Sequence, residues 1–243
     1  MNYTFILDKI LSVFEECGVN SFPLDCANLI SQYGYRVFTY QELKIKSPEL
    51  YDICVACSDD AFRDMATKTV AYNTEAPKKR MYFSLAHELG HIVLGHLTET
   101  AKTEAEANFF ASNILAPRMA IHYAQCKNEA DVTRIFEISC EAAQYAFDDY
   151  RRWRRSIVSR RNRMTSLDRK MYYHFYDVDN KKFVYSRKEC KHCKKEFVNS
   201  EWRICEKCKR VAEIRGNMYD SNDADMKMLN KWIYNMSKKQ GIL

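Results

Sequence analysis

Two histidines and a glutamate lie within five consecutive residues and have the types and spacing to bind and use a metal ion. They belong to the segment His87-Glu88-Leu89-Gly90-His91. On a helix, residues four apart project from the same face, so both imidazole rings can reach one zinc ion. Glu88 lies about 100° around the helix, where it can take a proton from an attacking water but is badly placed as a third ligand. The HExxH pattern therefore indicates a hydrolytic zinc site.

A catalytic zinc usually takes three protein ligands, so a third donor is expected downstream. Two carboxylates compete for this role. Thr103 and Glu106 have the spacing of a capping box, which would engage Glu106 at the start of a helix. Glu104 is then the freer carboxylate, and Asn108, one turn further on, could hydrogen-bond its second oxygen. We favour Glu104 as the third ligand and keep Glu106 as the alternative.

The motif needs a helix to position it, and the surrounding sequence predicts one from about Lys78 to Leu97. A short strand at 69–72 and a turn ending in Pro77 precede this helix. Gly90, inside the helix, costs about 1 kcal/mol relative to alanine, so we expect a reason for it, such as room for metal or substrate. We interpret His96, after Gly95, as part of the helix C-terminus and not as a ligand.

Other elements are expected on the N-terminal side. Helical apolar spacing covers residues 5–17 and 24–33, alternation at 35–40 predicts a strand, and 51–56 reads as another strand. Cys54 and Cys57 would lie on opposite faces of that second strand, so they could not chelate one metal. We interpret them as structural cysteines.

The motif segments also carry a family resemblance. Residues 83–91, the stretch 104–111 (EAEANFFA) and residues 114–117 resemble the ImmA/IrrE family of metallo-endopeptidases. The resemblance covers roughly residues 1–155. It implies Glu104 as the zinc ligand and a gluzincin-like α+β core, with a small antiparallel sheet, the HExxH helix and a helical bundle. It also implies a helix-turn-helix-like unit at about 128–150, which we interpret as scaffold because its second helix is acidic where a recognition helix would be basic.

Four further cysteines form a second candidate metal site. Cys190 and Cys193 make one CxxC pair, and Cys205 and Cys208 make another after 11 intervening residues. Such pairs can complete a closed tetrahedral site of four thiolates, which stabilises a segment too small to fold on an apolar core. We expect a structural zinc ribbon, with a brief hairpin between 197–198 and 202–204. His192, inside the first pair, is expected to face solvent.

Charge divides the chain near residue 150. Residues 1–150 contain 13 Lys and Arg against 21 Asp and Glu, whereas residues 151–243 contain 25 against 11. We predict a peptidase domain at 1–150, a basic connector at 151–185, and a ribbon domain at 186–243 that ends in a helix near 225–238. The basic part could bind nucleic acid, or its arginines could simply be solvated.

Together these patterns predict a zinc-dependent endopeptidase with one catalytic and one structural zinc ion. His87, His91 and Glu104 would be the catalytic ligands, and Glu88 would move the proton. The resemblance implies a protein substrate, a helix-turn-helix repressor in a stress response or a mobile element. The alternative is a non-catalytic regulator that binds nucleic acid or protein and uses the peptidase fold as a metal sensor. A cytoplasmic protein is expected, because the sequence shows no export signal or membrane-spanning run.

Overall fold

A computed structural model describes residues 1–161, 163–200 and 202–220, together with 231, 234, 235 and 238. Within this part the chain is α+β and mostly helical, as predicted. The helices are α1 (Tyr3–Glu16), α2 (Cys26–Gln32), α3 (Tyr40–Lys46), α4 (Pro48–Cys57), α5 (Lys78–Leu94), α6 (Ala101–Leu115), α7 (Arg118–Tyr123), α8 (Glu129–Phe136), α9 (Cys140–Ser159), α10 (Ser166–His174) and α11 (Glu206–Asp220). None of the described helices is long and apolar enough to span a membrane.

The strands form three small sheets among the described residues. They are β1 (Arg36–Thr39), β2 (Ala61–Asp64), β3 (Thr69–Tyr72), β4 (Tyr176–Asp177), β5 (Lys182–Phe183), β6 (Arg187–Glu189) and β7 (Glu196–Val198). The first sheet has the order β1-β3-β2, and the others are the pairs β4-β5 and β6-β7. In the first sheet, β2 is an edge strand that is paired only with β3.

The first sheet corrects our expectation of an antiparallel one, because it is mixed. β1 pairs with β3 in parallel, with Val37 opposite Val70, whereas β2 pairs with β3 antiparallel, with Phe62 opposite Ala71. A short connection joins β2 to β3. By contrast, α3, α4 and β2 all lie between β1 and β3, and a long crossover is what allows two strands to run in parallel.

The prediction of a strand at 51–56 is wrong, because these residues lie in α4. A short apolar run fits a strand or a buried helix equally well, and the helical start signal is Pro48 at the first position of α4. Cys54 is buried with Tyr40 and Leu43 in a small second core, whereas Cys57 is exposed at the end of the helix.

Helix α5 carries the HExxH segment and packs against α6. A Cβ atom on Gly90 would lie 3.0 Å from Cδ1 of Phe110 and 3.3 Å from Cα of Ala107. The absence of a side chain at Gly90 therefore allows α5 and α6 to approach closely. Our expectation that this glycine leaves room for metal or substrate was wrong. Gly95 ends α5 in the left-handed conformation, with φ of 71°. This confirms the predicted helix C-terminus at Gly95-His96.

Helices α8 and α9 form the predicted helix-turn-helix-like unit. Glu137, between them, is left-handed with φ of 58°, and Ser139 caps α9 by accepting a hydrogen bond from the backbone N–H of Ala142. α9 does not end at the predicted domain boundary. It continues to Ser159, and Trp153 and Ile157 are buried in the main core. Residues four apart share one helix face, so an otherwise basic helix can dock by this stripe.

The chain divides into two compact units, Met1–Tyr185 and Ser186–Leu243. Residues 151–185 therefore belong to the first unit and are not a connector between domains. Met171 of α10, Phe175 directly after this helix and Phe183 of β5 lie in the same core as residues of α1 and α9. We predicted a connector because basic residues predominate in this stretch, and its few buried apolar residues gave only a weak signal in the sequence.

The second unit is built on the β6-β7 hairpin, followed by α11. Glu189 lies opposite Glu196, so the hairpin encloses the first CxxC pair. We expected the hairpin to span 197–198 and 202–204, between the two pairs, and this was wrong. A CxxC pair can itself form the tight turn that joins two strands. The predicted C-terminal helix near 225–238 falls largely outside the described residues.

Candidate metal centre

The side chains of His87, His91 and Glu104 converge at the surface between α5 and α6. Nε2 of His87 and Nε2 of His91 lie 3.0 Å apart. Oε2 of Glu104 lies 3.2 Å from Nε2 of His87, and Oε1 of Glu104 lies 3.2 Å from Nε2 of His91. Two imidazole nitrogens and a carboxylate thus face one point, and such a three-residue set leaves a coordination position open on a tetrahedral ion.

The capping argument by which we chose between Glu104 and Glu106 was wrong, although it favoured the residue that faces the histidines. α6 begins earlier than predicted, and its capping box is formed by Thr100 and Thr103. Glu106 is therefore not engaged at the helix start. Its Oε2 lies 3.4 Å from Nε2 of His96 instead. The capping signals overlap at Thr100 and Thr103, and only the folded helix distinguishes them.

Asn108 is an outer-shell partner, but not of Glu104 as we predicted. Its Oδ1 lies 2.9 Å from Nδ1 of His87. An amide oxygen can only accept, so Nδ1 of His87 carries the proton and Nε2 is left with a free lone pair. This arrangement orients His87 for metal binding, as an outer-shell hydrogen bond typically does. The ligand and its partner lie 21 positions apart on different helices.

His91 is held in its neutral form by its surroundings. Burial, reinforced by the neighbouring His87, lowers the pKa of His91 to about 3. A neutral imidazole is the form that binds a metal. The donor set of two imidazoles and one carboxylate fits zinc, which accepts nitrogen and oxygen ligands in catalytic sites.

Glu88 lies beside this cluster and is largely buried. Its Oε2 lies 3.7 Å from Nε of Arg63, and the two side chains are 14% and 7% exposed. Burial raises the pKa of Glu88 to about 7, and the Arg63 guanidinium opposes part of that rise. A carboxylate with a pKa near the working pH can both take and return a proton. Nothing in the sequence spacing pointed to Arg63, which lies 25 positions before Glu88.

An open cleft of about 800 Å³ lies over the cluster. Its walls come from the end of α4, the edge strand β2, α5 and the start of α9, and include His87, Glu88, His91 and Glu104 together with Phe62, Phe83, Glu99 and Glu141. The three candidate ligands and the candidate base thus face a space that is large enough for a polypeptide segment.

The four predicted ribbon cysteines also converge. Their sulfur atoms all lie within 4.8 Å of one another, and those of Cys193 and Cys205 are 3.7 Å apart. The backbone N–H of Cys205 donates to Sγ of Cys190 at 3.3 Å, and backbone hydrogen bonds lower the pKa of Cys190 to about 6. Four convergent sulfurs fit a closed structural zinc site. His192 is exposed and outside this group.

Comparison with known proteins identifies one family. Residues 51–148 match the family model Peptidase_M78, described as the IrrE N-terminal-like domain. The match begins inside α4 and ends inside α9, so it includes the residues that line the cleft and all three candidate ligands. No curated protein matches the chain significantly.

Proposed function

We propose, on the premise that residues 51–148 belong to the M78 peptidase family, that this chain is a zinc-dependent endopeptidase. The observation that carries the proposal is the convergence of three donors: Nε2 of His87, Nε2 of His91 and the Glu104 carboxylate lie 3.0–3.2 Å from one another. Beside them, in the same open cleft, the Glu88 carboxylate has a pKa of about 7. Zinc held by these donors would supply Lewis acidity to the scissile carbonyl and to the attacking water.

Glu88 is the general base and acid in this proposal. Its carboxylate takes the proton of the attacking water and returns it to the amide nitrogen as the C–N bond breaks, so that the leaving group departs as a neutral amine. Arg63 lies 3.7 Å from Glu88, and its positive charge favours the ionised form of this carboxylate. His87 and Glu88 occupy consecutive positions of α5, so their relative placement is set by helix geometry.

The substrate backbone is expected to bind along β2. This strand forms hydrogen bonds to β3 on one side, and residues 60–63 line the cleft. An extended peptide can add to an exposed sheet edge through main-chain hydrogen bonds, without reference to its side chains. Such a site would hold the substrate extended across the ligands, as hydrolysis inside a polypeptide requires.

We further propose a protein substrate of the helix-turn-helix repressor class and a cytoplasmic location. Both follow from the likeness to the ImmA/IrrE family and not from a contact in this chain. For the ribbon we propose a structural zinc and a binding role. Trp202 is 58% exposed, and Nζ of Lys209 lies 4.4 Å from its ring centroid, a pairing suited to stacking on bases or to a protein surface.

The deciding experiment compares wild type with Glu88→Gln on candidate repressors. Hydrolysis predicts that fragments appear with wild type and fall by about 10²–10⁴-fold in Glu88→Gln, because the base is lost while the ligands remain. Metal analysis should find the same zinc content in both proteins. Equal fragment yields would exclude the proposed chemistry.

The alternative, a non-catalytic regulator, makes the opposite prediction in cells. Glu88→Gln would then leave the regulatory output unchanged, whereas replacement of ribbon cysteines or of the arginines at 151–155 would abolish it. The enzyme proposal instead requires that Glu88→Gln alone abolish the output.

A further inference from the structure

A buried row of three side chains leads away from the candidate ligand His91. Nδ1 of His91 lies 3.1 Å from Nδ1 of His96, and Nε2 of His96 lies 3.4 Å from Oε2 of Glu106. The His96 and Glu106 side chains are 8% and 16% exposed. We propose that His96 and Glu106 are positioning residues that hold His91 in the tautomer and ring orientation that bind metal. This inference rests on the metal centre of the proposed function.

The proton assignment along this row has one consistent solution. Nε2 of His91 faces His87 and Glu104, so as a ligand it must carry a lone pair, and the single ring proton lies on Nδ1. That proton is donated to Nδ1 of His96. His96 in turn keeps its own proton on Nε2 and donates it to the Glu106 carboxylate, which can only accept when ionised.

The backbone holds His96 against His91 independently of the ring contact. Gly95 has φ of 71° and reverses the chain at the end of α5. The backbone N–H of His96 then donates to the carbonyl oxygen of His91 at 3.0 Å. Nη1 of Arg63 donates to the carbonyl oxygen of His96 at 3.3 Å. His96 is thus fixed at both its N–H and its C=O, and its ring has little freedom to leave His91.

One helix, α6, supplies a side chain for each ring nitrogen of His91, one in direct contact and one through His96. Glu104 faces Nε2 of His91 directly, and Glu106 acts on Nδ1 through His96. The same helix supplies Asn108, which accepts from Nδ1 of His87. The two histidines therefore have different supports, a neutral amide for His87 and a charged carboxylate behind an imidazole for His91. Loss of such outer-shell partners typically weakens metal affinity 10–100-fold.

The test is metal binding by the full chain, which needs no substrate. Co²⁺ is titrated into apo-protein. Only the cysteine site gives thiolate-to-cobalt charge-transfer absorption, so binding of Co²⁺ at the histidine site can be distinguished from it. His96→Leu should weaken binding at the histidine site about 10–100-fold. His96→Gln should recover most of the loss, since an amide can both accept from His91 and donate to Glu106. His122→Asn, which replaces a half-buried histidine elsewhere, should match wild type.

A spectroscopic readout separates positioning from simple packing. In zinc-loaded wild type, the Nδ1–H of His91 and the Nε2–H of His96 should give slowly exchanging imidazole resonances, and both should vanish in His96→Leu. If His96→Leu fails to fold, Glu106→Leu tests the same row from its other end, with Glu106→Gln as the variant that keeps an acceptor. Unchanged affinity and a retained His91 resonance in either leucine variant would overturn the inference. Wild type without metal on His87 and His91 would overturn the proposed function as well.

Discussion

Arg63 and Glu88 form a buried ion pair between the edge strand β2 and the HExxH helix. Nε of Arg63 lies 3.7 Å from Oε2 of Glu88, which is beyond hydrogen-bond distance, and this Nε has no hydrogen-bond partner among the described residues. The attraction is therefore purely electrostatic, in a setting where little water screens it. The pair joins the proposed substrate-binding strand to the proposed base.

Removal of the cation is expected to destabilise the fold. Arg63→Met leaves the Glu88 carboxylate buried without a compensating charge, at a cost of up to about 3 kcal/mol in the free energy of unfolding. Protonation of Glu88 relieves part of this cost near pH 7, where its pKa lies with Arg63 present. The cost should therefore grow as the pH rises above 7. Urea denaturation at pH 6 and pH 8.5 measures the difference.

The double variant Arg63→Met/Glu88→Gln is the matched control. Because no buried charge then lacks a partner, it should regain most of the stability that Arg63→Met loses. Additive losses in the double variant would show that the two side chains do not interact.

Glu104 is expected to bind the catalytic zinc ion as its third protein ligand. Glu104→Ala removes a candidate ligand, so zinc content should fall from two ions to about one per chain. Glu129→Ala, at a partly exposed carboxylate of α8 outside both candidate metal sites, should retain both ions. Metal analysis after dialysis checks the counts. Retention of two ions in Glu104→Ala would remove it from the ligand set.

Gly90→Ala tests the close approach of α5 and α6. The added Cβ would lie 3.0 Å from Cδ1 of Phe110, which is tighter than normal contact. Overpacking of this kind costs about 1–3 kcal/mol, against a gain of about 1 kcal/mol in helix propensity. A net loss of up to about 2 kcal/mol in unfolding free energy is therefore expected. Stabilisation by Gly90→Ala would show that Phe110 can move aside.

Asp168 should make stability dependent on acid. It is 2% exposed, and burial alone would raise its pKa. The Arg118 guanidinium and hydrogen bonds from Thr165 and Trp153 outweigh burial and hold the pKa of Asp168 below its usual range. A carboxylate whose pKa is lower in the folded than in the unfolded state stabilises the fold at pH values above the unfolded-state pKa. This stabilisation is lost as the pH falls through the folded-state pKa. Asp168→Asn should cost about 3 kcal/mol at pH 7. The difference in stability between wild type and Asp168→Asn should become smaller below about pH 4. Thermal unfolding at several pH values measures it, and a difference that does not change with pH would contradict this prediction.

The ribbon should depend on its metal independently of the peptidase unit. Cys190→Ser removes one of four thiolates, so the structural zinc should be lost and the second unit should unfold locally. Zinc on His87, His91 and Glu104 should persist. Hydrogen exchange resolved by segment would show rapid exchange confined to 186–220. Protection retained there in the absence of zinc would refute a metal-dependent fold.

Local spacing alone determined much of this protein. The four-residue interval between His87 and His91 sets their common face, because helix geometry needs no tertiary contact. The CxxC pairs indicated a thiolate cluster in the same way. Ser139 and Gly95 marked helix ends correctly, since a cap depends on its nearest neighbours in the chain.

Only the tertiary structure decided which residues meet across elements. Arg63 against Glu88, Asn108 against His87 and Glu106 against His96 join positions far apart in sequence, and no periodicity encodes such pairs. The helical state of 51–57 and the inclusion of 151–185 in the first unit also depended on burial of a few anchors such as Cys54 and Trp153. Where local signals are ambiguous, packing supplies the free energy that selects one structure.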